Sequence, residues 1–265
     1  MAVNPKLVAR IESEEPTQRL AVLIDADNAQ AAVIEALLAE IARFGEATVK
    51  RIYGDFTAPT SGQWKKVLDQ FAIKPVQQFA YTTGKNATDS MLIIDAMDLL
   101  YTRRFDGFCL VSSDSDFTGL AVRIREEGLT VYGFGEQKTP KAFRNACHKF
   151  ILTEVLRPIA TETGPNTTTT NEEVASKNDK IAAQETAIRA SEPKKDIPRE
   201  FFTQALEKAS DERGWAHLGT FGSYLTKLRS DFDPRSFGYK KLSDLVKARN
   251  DLFEVEERRS ASGMK

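Results

Sequence analysis

Short apolar runs alternate along this chain with longer stretches in which apolar residues recur every three or four positions. The runs are Leu20–Ile24, Ala47–Tyr53, Pro75–Ala80, Phe108–Ser112, Leu129–Phe134 and Phe150–Leu152. Each is short, bounded by turn residues and rich in β-branched or aromatic side chains, as strands are. Helical spacing covers Gln30–Phe44, Ser61–Phe71, Ala87–Arg103, Phe117–Glu127 and a shorter stretch near Pro140–Cys147. Asp27 or Asn28 would cap the first helix and Gly45 would end it, while Gly128 closes the helix after Phe117. Strands alternating with helices of this length predict βαβ units and a parallel sheet. Right-handed crossovers then set helices on both faces.

The pattern changes at Glu162. Pro165 and Asn166 precede four consecutive threonines, and up to about Lys195 large apolar residues are few. Such a segment offers too little apolar surface to offset the entropy of ordering it. As a flexible tether it would span about 30 Å. Ile181–Ile188 has the spacing for a transient helix. Apolar periodicity returns at Ile197. Phe201, Phe202, Ala205, Leu206 and Ala209 form one helical stripe, Leu218, Phe221, Leu225 and Leu228 a second, and Leu242, Leu245 and Val246 a third. Phe253-Glu254-Val255 reads as a short strand. The chain is thus expected to hold an N-terminal extension (1–19), an α/β domain (20–156), a flexible linker (157–196), a small, mainly helical, winged-helix-like domain (197–258) and a disordered tail (259–265).

Two strand ends carry acids. Asp25-Ala26-Asp27-Asn28 follows Leu20–Ile24, and Ser112-Ser113-Asp114-Ser115-Asp116 follows the run ending at Val111. Open α/β sheets hold their ligand sites at the carboxyl ends of the strands, where strand order reverses. The first and fourth strands are often neighbours there. Adjacent strands lie about 4.8 Å apart, so Asp25 and Asp114 should converge. Lys85-Asn86-Ala87-Thr88-Asp89 leads into a largely apolar helix that would present Asp89 at the same edge. Taken singly, Asp27, Asp89 and Asp116 each read equally well as helix caps. Asp25 and Asp114 are harder to read that way, because each closes a buried strand. Crowded carboxylates raise one another's pKa, and a divalent cation relieves the repulsion. Oxygen ligands alone select Mg²⁺ or Mn²⁺ over zinc, giving a metal set of Asp25, Asp89, Asp114 and Asp116. Lys85 and the hydroxyls of Ser112, Ser113 and Ser115 are candidates for phosphate contact. Asp95, six positions beyond Asp89, lies about 240° around the helix and cannot share its face. Asp98 reads as a solvated position.

Composition narrows the picture. A formal net charge of −1 over 265 residues confines any polyanion surface to a local patch. Only two cysteines, Cys109 and Cys147, and two histidines, His148 and His217, are present, without zinc-ligand spacing. Both cysteines read as reduced thiols. No apolar stretch reaches the length of a membrane span, and Met1–Thr17 has no signal-like core. The expectation is a cytoplasmic protein without membrane contact.

Leu23-Ile24-Asp25-Ala26-Asp27-Asn28, Lys85-Asn86-Ala87-Thr88-Asp89 with Asp95-Ala96 downstream, and Val111-Ser112-Ser113-Asp114-Ser115-Asp116-Phe117 occur in an order that resembles the NYN family, a branch of the PIN-like nuclease fold. That resemblance implies a metal-dependent ribonuclease-like site, with Asp25, Asp89, Asp114 and Asp116 as metal-binding acids. It implies Asn28 as a polar site residue and Asp95 as an outer member. The family commonly has Gly where Ser113 stands, and often Gly-Val across Asn86-Ala87-Thr88. The acids themselves are intact. Phe232-Asp233-Pro234-Arg235-Ser236-Phe237-Gly238-Tyr239-Lys240-Lys241-Leu242, preceded by Gly214-Trp215-Ala216-His217-Leu218-Gly219, resembles the LOTUS, or OST-HTH, domain. This implies RNA binding or protein docking. Arg235, Tyr239, Lys240 and Lys241 combine cations with an aromatic ring, the groups that phosphate contact and base stacking need. Phe237 reads as core, Trp215 as core or a partial stacking platform, and His217 as a packing or capping residue; Lys240 and Lys241 fit a solvated face as well as a contact surface.

Three functions are compatible with these residues. The first is a Mg²⁺- or Mn²⁺-dependent ribonuclease whose second domain recruits RNA. The second is a non-catalytic RNA-binding or scaffold protein on the same fold, with room for a protein partner or a homo-oligomer. The third, well behind, is a phosphatase using Asp25-Ala26-Asp27 as a nucleophile motif; Ala29 stands where such enzymes carry Thr or Val.

Overall fold

A computed structural model describes residues 17–57, 62–78, 87–157, 199–211 and 213–256. Lys85, Asn86, residues 158–196 of the expected linker with Ile181–Ile188 among them, most of the N-terminal extension and the tail lie outside these residues. The chain divides into two compact units, Met1–Leu156 and Arg157–Lys265.

The first unit is built on a six-stranded parallel sheet: β1 (Arg19–Asp25), β2 (Glu46–Gly54), β3 (Lys74–Gln77), β4 (Gly107–Val111), β5 (Thr130–Gly135) and β6 (Lys149–Leu152). The spatial order is β3-β2-β1-β4-β5-β6, and every pairing is parallel. β1 therefore has β2 on one side and β4 on the other, and the chain reverses direction across the sheet between them. Pro75 sits in β3, an edge strand, where its missing N–H is tolerated.

Strand alternation divides the core in two. Ala21 and Leu23 of β1 join Phe108 and Leu110 of β4 on one face. Leu20, Val22 and Ile24 join Cys109 and Val111 on the other. The first face is covered by α3 (Ala87–Tyr101), α4 (Thr118–Glu126) and α5 (Lys141–Ala146), through Leu92, Ala96, Leu120, Ile124 and Phe143. The second is covered by α1 (Ile34–Ile41) and α2 (Gly62–Gln70), through Ile34, Leu37, Ile41 and Trp64. β4 and the stretch Leu20–Ile24 of β1 are apolar throughout because both faces are buried there.

Two local expectations change. The first helix begins later than the periodicity suggests: a 3₁₀ turn, Ala31–Val33, precedes α1, and neither Asp27 nor Asn28 caps it. Cys109 and Cys147 are free and buried. Burial pushes the Cys147 thiol up to about 12, so it stays protonated and unreactive.

The second unit packs α6 (Arg199–Ala209), α7 (Leu218–Leu228) and α8 (Leu242–Ala248) with a 3₁₀ turn, Pro234–Phe237. Its centre is aromatic. Phe202 meets Phe201, Phe221, Phe232 and Phe253 with ring centroids 5.3–6.2 Å apart, mostly edge-to-face. The Phe-Asp-Pro-Arg sequence is a capping device. Asp233 accepts the Arg235 N–H at 2.8 Å and grips its guanidinium at 2.7 Å, Pro234 starts the turn, and Gly238 ends it at φ +84°. Among the described residues no strand forms at Phe253–Val255: Phe253 instead turns into the aromatic core. Trp215, expected in that core, is 39 % exposed. His217 sits at the start of α7 with no side-chain cap bond.

Candidate active site

The site assembles where β1 and β4 end side by side. Asp25, the last residue of β1, is fully buried. Its carboxylate accepts hydrogen bonds from Asn28 Nδ2 at 2.8 Å, Ser112 Oγ at 2.8 Å and the Asp27 N–H at 3.0 Å. Burial raises its pKa against the opposing pull of these donors. Ser112 Oγ also accepts the Asp114 N–H at 3.0 Å, so one hydroxyl links the two strand ends. Asp114 in turn accepts the Asp116 N–H at 2.9 Å and caps the 3₁₀ turn Ser115–Phe117 that leads into α4.

Asp89 arrives from the opposite direction. It stands in the first turn of α3, whose amino end meets the carboxyl edge of the sheet. One carboxylate oxygen each from Asp89, Asp114 and Asp116 lie within 4.8 Å of one another. Partial burial and the negative charges of Asp25, Asp114, Asp116 and Asp27 push the Asp89 carboxyl up to about 6. The donors are carboxylate oxygens, with no thiol or imidazole among them, a set that fits a hard divalent cation.

The four expected metal acids therefore divide. Asp89, Asp114 and Asp116 form the compact group. Asp25 stands behind it, its oxygens occupied by three donors; among the charges acting on Asp89, its own is the largest. Adjacent strand ends bring Asp25 and Asp114 to one crevice, where Ser112 bridges them, its hydroxyl donating to Asp25 and accepting the Asp114 N–H. Asn28 holds Asp25 through its side-chain amide. Ser112 is buried and committed to the acids, so the expected phosphate contact is a carboxylate clamp. Ser113 is buried too, its hydroxyl accepting the Glu136 N–H at 2.9 Å. Ser115 is exposed, and Lys85 lies outside the described residues. Asp98 is exposed, as expected of a solvated helix position.

Asp95 is separate from the acidic group. It accepts from Arg51 Nη1 and from the Tyr53 hydroxyl, both on β2. The signal for this pairing lay in β2, where Arg51 and Tyr53, two positions apart, put polar groups on the same face of the strand near its buried carboxyl end.

In the second unit Lys240 and Lys241 are exposed. Arg235 is held by Asp233, and Tyr239 packs partly buried against the aromatic core. Neither is a freely projecting contact residue.

The NYN domain model matches residues 19–154, just over half of the chain. The chain belongs to the NYN family. The matched segment contains the whole sheet and all four site acids, and NYN domains have a nuclease-like fold. The OST-HTH/LOTUS domain model matches residues 192–264, downstream of the NYN unit. No curated protein matches the chain. Among solved structures, a protein of unknown function from Vibrio parahaemolyticus is 18% identical, with 52% of this chain and 94% of that one covered and a TM-score of 0.44. An uncharacterized protein from Nitrosomonas europaea is 48% identical over 36% of this chain and 85% of its own, with a TM-score of 0.26. Among the described residues, no helix of the NYN protein is long and apolar enough to cross a membrane.

Proposed function

We propose that this protein is a Mg²⁺- or Mn²⁺-dependent ribonuclease, with RNA recruited by its OST-HTH/LOTUS unit. The observation that carries the reading is the carboxylate group of Asp89, Asp114 and Asp116 at the crevice of an NYN sheet, backed by the charge of Asp25. A bound divalent ion would supply a polarised water nucleophile and charge compensation at the phosphodiester. Asp89, Asp114 and Asp116 would hold that ion. Asp25, fixed by Asn28 and Ser112, would add the negative potential that draws it in and orient its shell. Ser115, exposed at the first position of the 3₁₀ turn that Asp114 caps, is the hydroxyl offered to a phosphate oxygen. Lys85 is assigned the same role. In the OST-HTH unit, Lys240 and Lys241 would contact the RNA backbone, and a tether raises the local concentration of substrate.

The test compares wild-type and Asp114→Asn protein on structured and unstructured RNA, with Mg²⁺, Mn²⁺ or chelator. Asn retains an oxygen to cap the Ser115–Phe117 turn, so the fold should persist. Cleavage should fall at least about 100-fold, since a metal-held transition state is worth several kcal/mol and each ~1.4 kcal/mol is tenfold. Undiminished cleavage by the variant would overturn the assignment. RNA binding without turnover under every metal condition would instead mark the protein as a non-catalytic binder.

A further inference from the structure

We infer that Asp95, Arg51 and Tyr53 form a positioning network that fixes α3 against the sheet and thereby sets the divalent-metal affinity of Asp89. The inference rests on the proposed metal site and assigns it a supporting layer. Asp89 is repelled by the other acids of the site, so α3 carries at its first turn a group that its neighbours push away. The side chains that seat α3 on the sheet include Leu92, Ala96, Leu99 and Leu100. Apolar packing is non-directional and resists sliding or rotation weakly compared with a bonded fixed point.

Asp95 provides that fixed point. Six residues below Asp89, about 9 Å along the axis, its two oxygens take separate donors, Arg51 Nη1 and the Tyr53 hydroxyl. The Asp95 side chain is 13% exposed and that of Arg51 24%, so solvent screens the pair far less than a surface contact. Both donors stand on β2. Tyr53 is in register with Asp25, and its carbonyl accepts the Ala26 N–H at 2.9 Å. A single residue therefore bonds the strand end carrying Asp25 through its main chain and the helix carrying Asp89 through its side chain. Neither Tyr53 nor Asp95 belongs to the carboxylate group itself.

The experiment measures Mn²⁺ binding to the full chain by electron paramagnetic resonance, together with the Mn²⁺ dependence of RNA cleavage. The variants are Tyr53→Phe, Arg51→Lys and Asp95→Asn, with Asp89→Asn for comparison. Tyr53→Phe keeps the buried ring and loses only the hydroxyl. It should weaken Mn²⁺ binding about tenfold, the lower end of what loss of an outer-layer partner costs, with a larger loss in Asp95→Asn. Saturating Mn²⁺ should bring cleavage by Tyr53→Phe back to within a few-fold of wild type, whereas Asp89→Asn should not recover. Should Asp95→Asn fail to fold, Tyr53→Phe and Arg51→Lys still decide. Mn²⁺ affinity within twofold of wild type in folded Tyr53→Phe and Arg51→Lys would overturn the inference and leave the network a purely structural one. Wild-type protein that binds Mn²⁺ without cleaving RNA would remove the ribonuclease reading alone, with the affinities still judging the network. Wild-type protein that binds no Mn²⁺ would remove both.

Discussion

Partial burial, and then the carboxylates gathered around it, make Asp89 ionise reluctantly and push its carboxyl up to about 6 against an ordinary 3.8. Between about pH 4 and 6 the native state thus binds more protons than the unfolded chain, and this group's contribution to stability declines as pH rises through that window. Asp25, also raised, acts in the same direction. In chelator, Asp89→Asn should therefore melt higher than wild type at pH 7 and lose part of this pH slope. Mg²⁺ or Mn²⁺ should raise the wild-type melting temperature more at pH 7 than at pH 5, because the ion competes with the proton. Thermal denaturation across pH, with and without metal, checks both. A metal effect greater at pH 5 would contradict the assignment. Asp25 and Asp114 were legible from sequence as acids closing buried strands, although Asp114 also caps the Ser115–Phe117 turn; Asp89 and Asp116, equally readable as caps, stood out only through their conjunction with these two. The work of Ser112 was not legible, because a serine beside two acids reads equally as a phosphate contact; only its 2.8 Å bond to Asp25 decides.

At the scale of the elements, β1 and β4 were readable because burial on both faces leaves an uninterrupted apolar run. The run Phe253–Val255 misled because alternation over three residues is also what a core-anchoring turn shows. The close packing of β5 against β6 was not visible in sequence at all. A Cβ added at Gly133 would lie 2.4 Å from Phe150 Cδ2 and 2.6 Å from Cys147 Sγ. Gly133→Ala should cost about 1–3 kcal/mol through overpacking, read as a lower melting temperature. Since Gly133 stands within β5 and away from the carboxylate edge, Mn²⁺ affinity at low temperature should be unchanged. A variant as stable as wild type would mean that β6 yields without cost.

For the whole molecule, the two units have separate cores: Phe202, Phe221, Phe232 and Leu245 cluster apart from the residues that cover the sheet. Phe202→Ala should remove about 3–5 kcal/mol, comparable to all that a domain of this size commonly has. The OST-HTH unit should then unfold while the NYN unit keeps its own transition, measurable as loss of one of two calorimetric transitions. A parallel fall in both would show a shared core. By itself the sequence determined the alternation of strands and helices, the acids at the strand ends and the aromatic stripes of the second unit, because each is written in local spacing. Only the tertiary structure decided which acids meet. Asp89, Asp114 and Asp116 come together because strand order reverses between β1 and β4 and α3 returns its amino end to that crevice. Asp95, on the same helix, is drawn instead to Arg51 and Tyr53. Proximity across elements depends on register and crossover, which residue spacing within one segment does not encode.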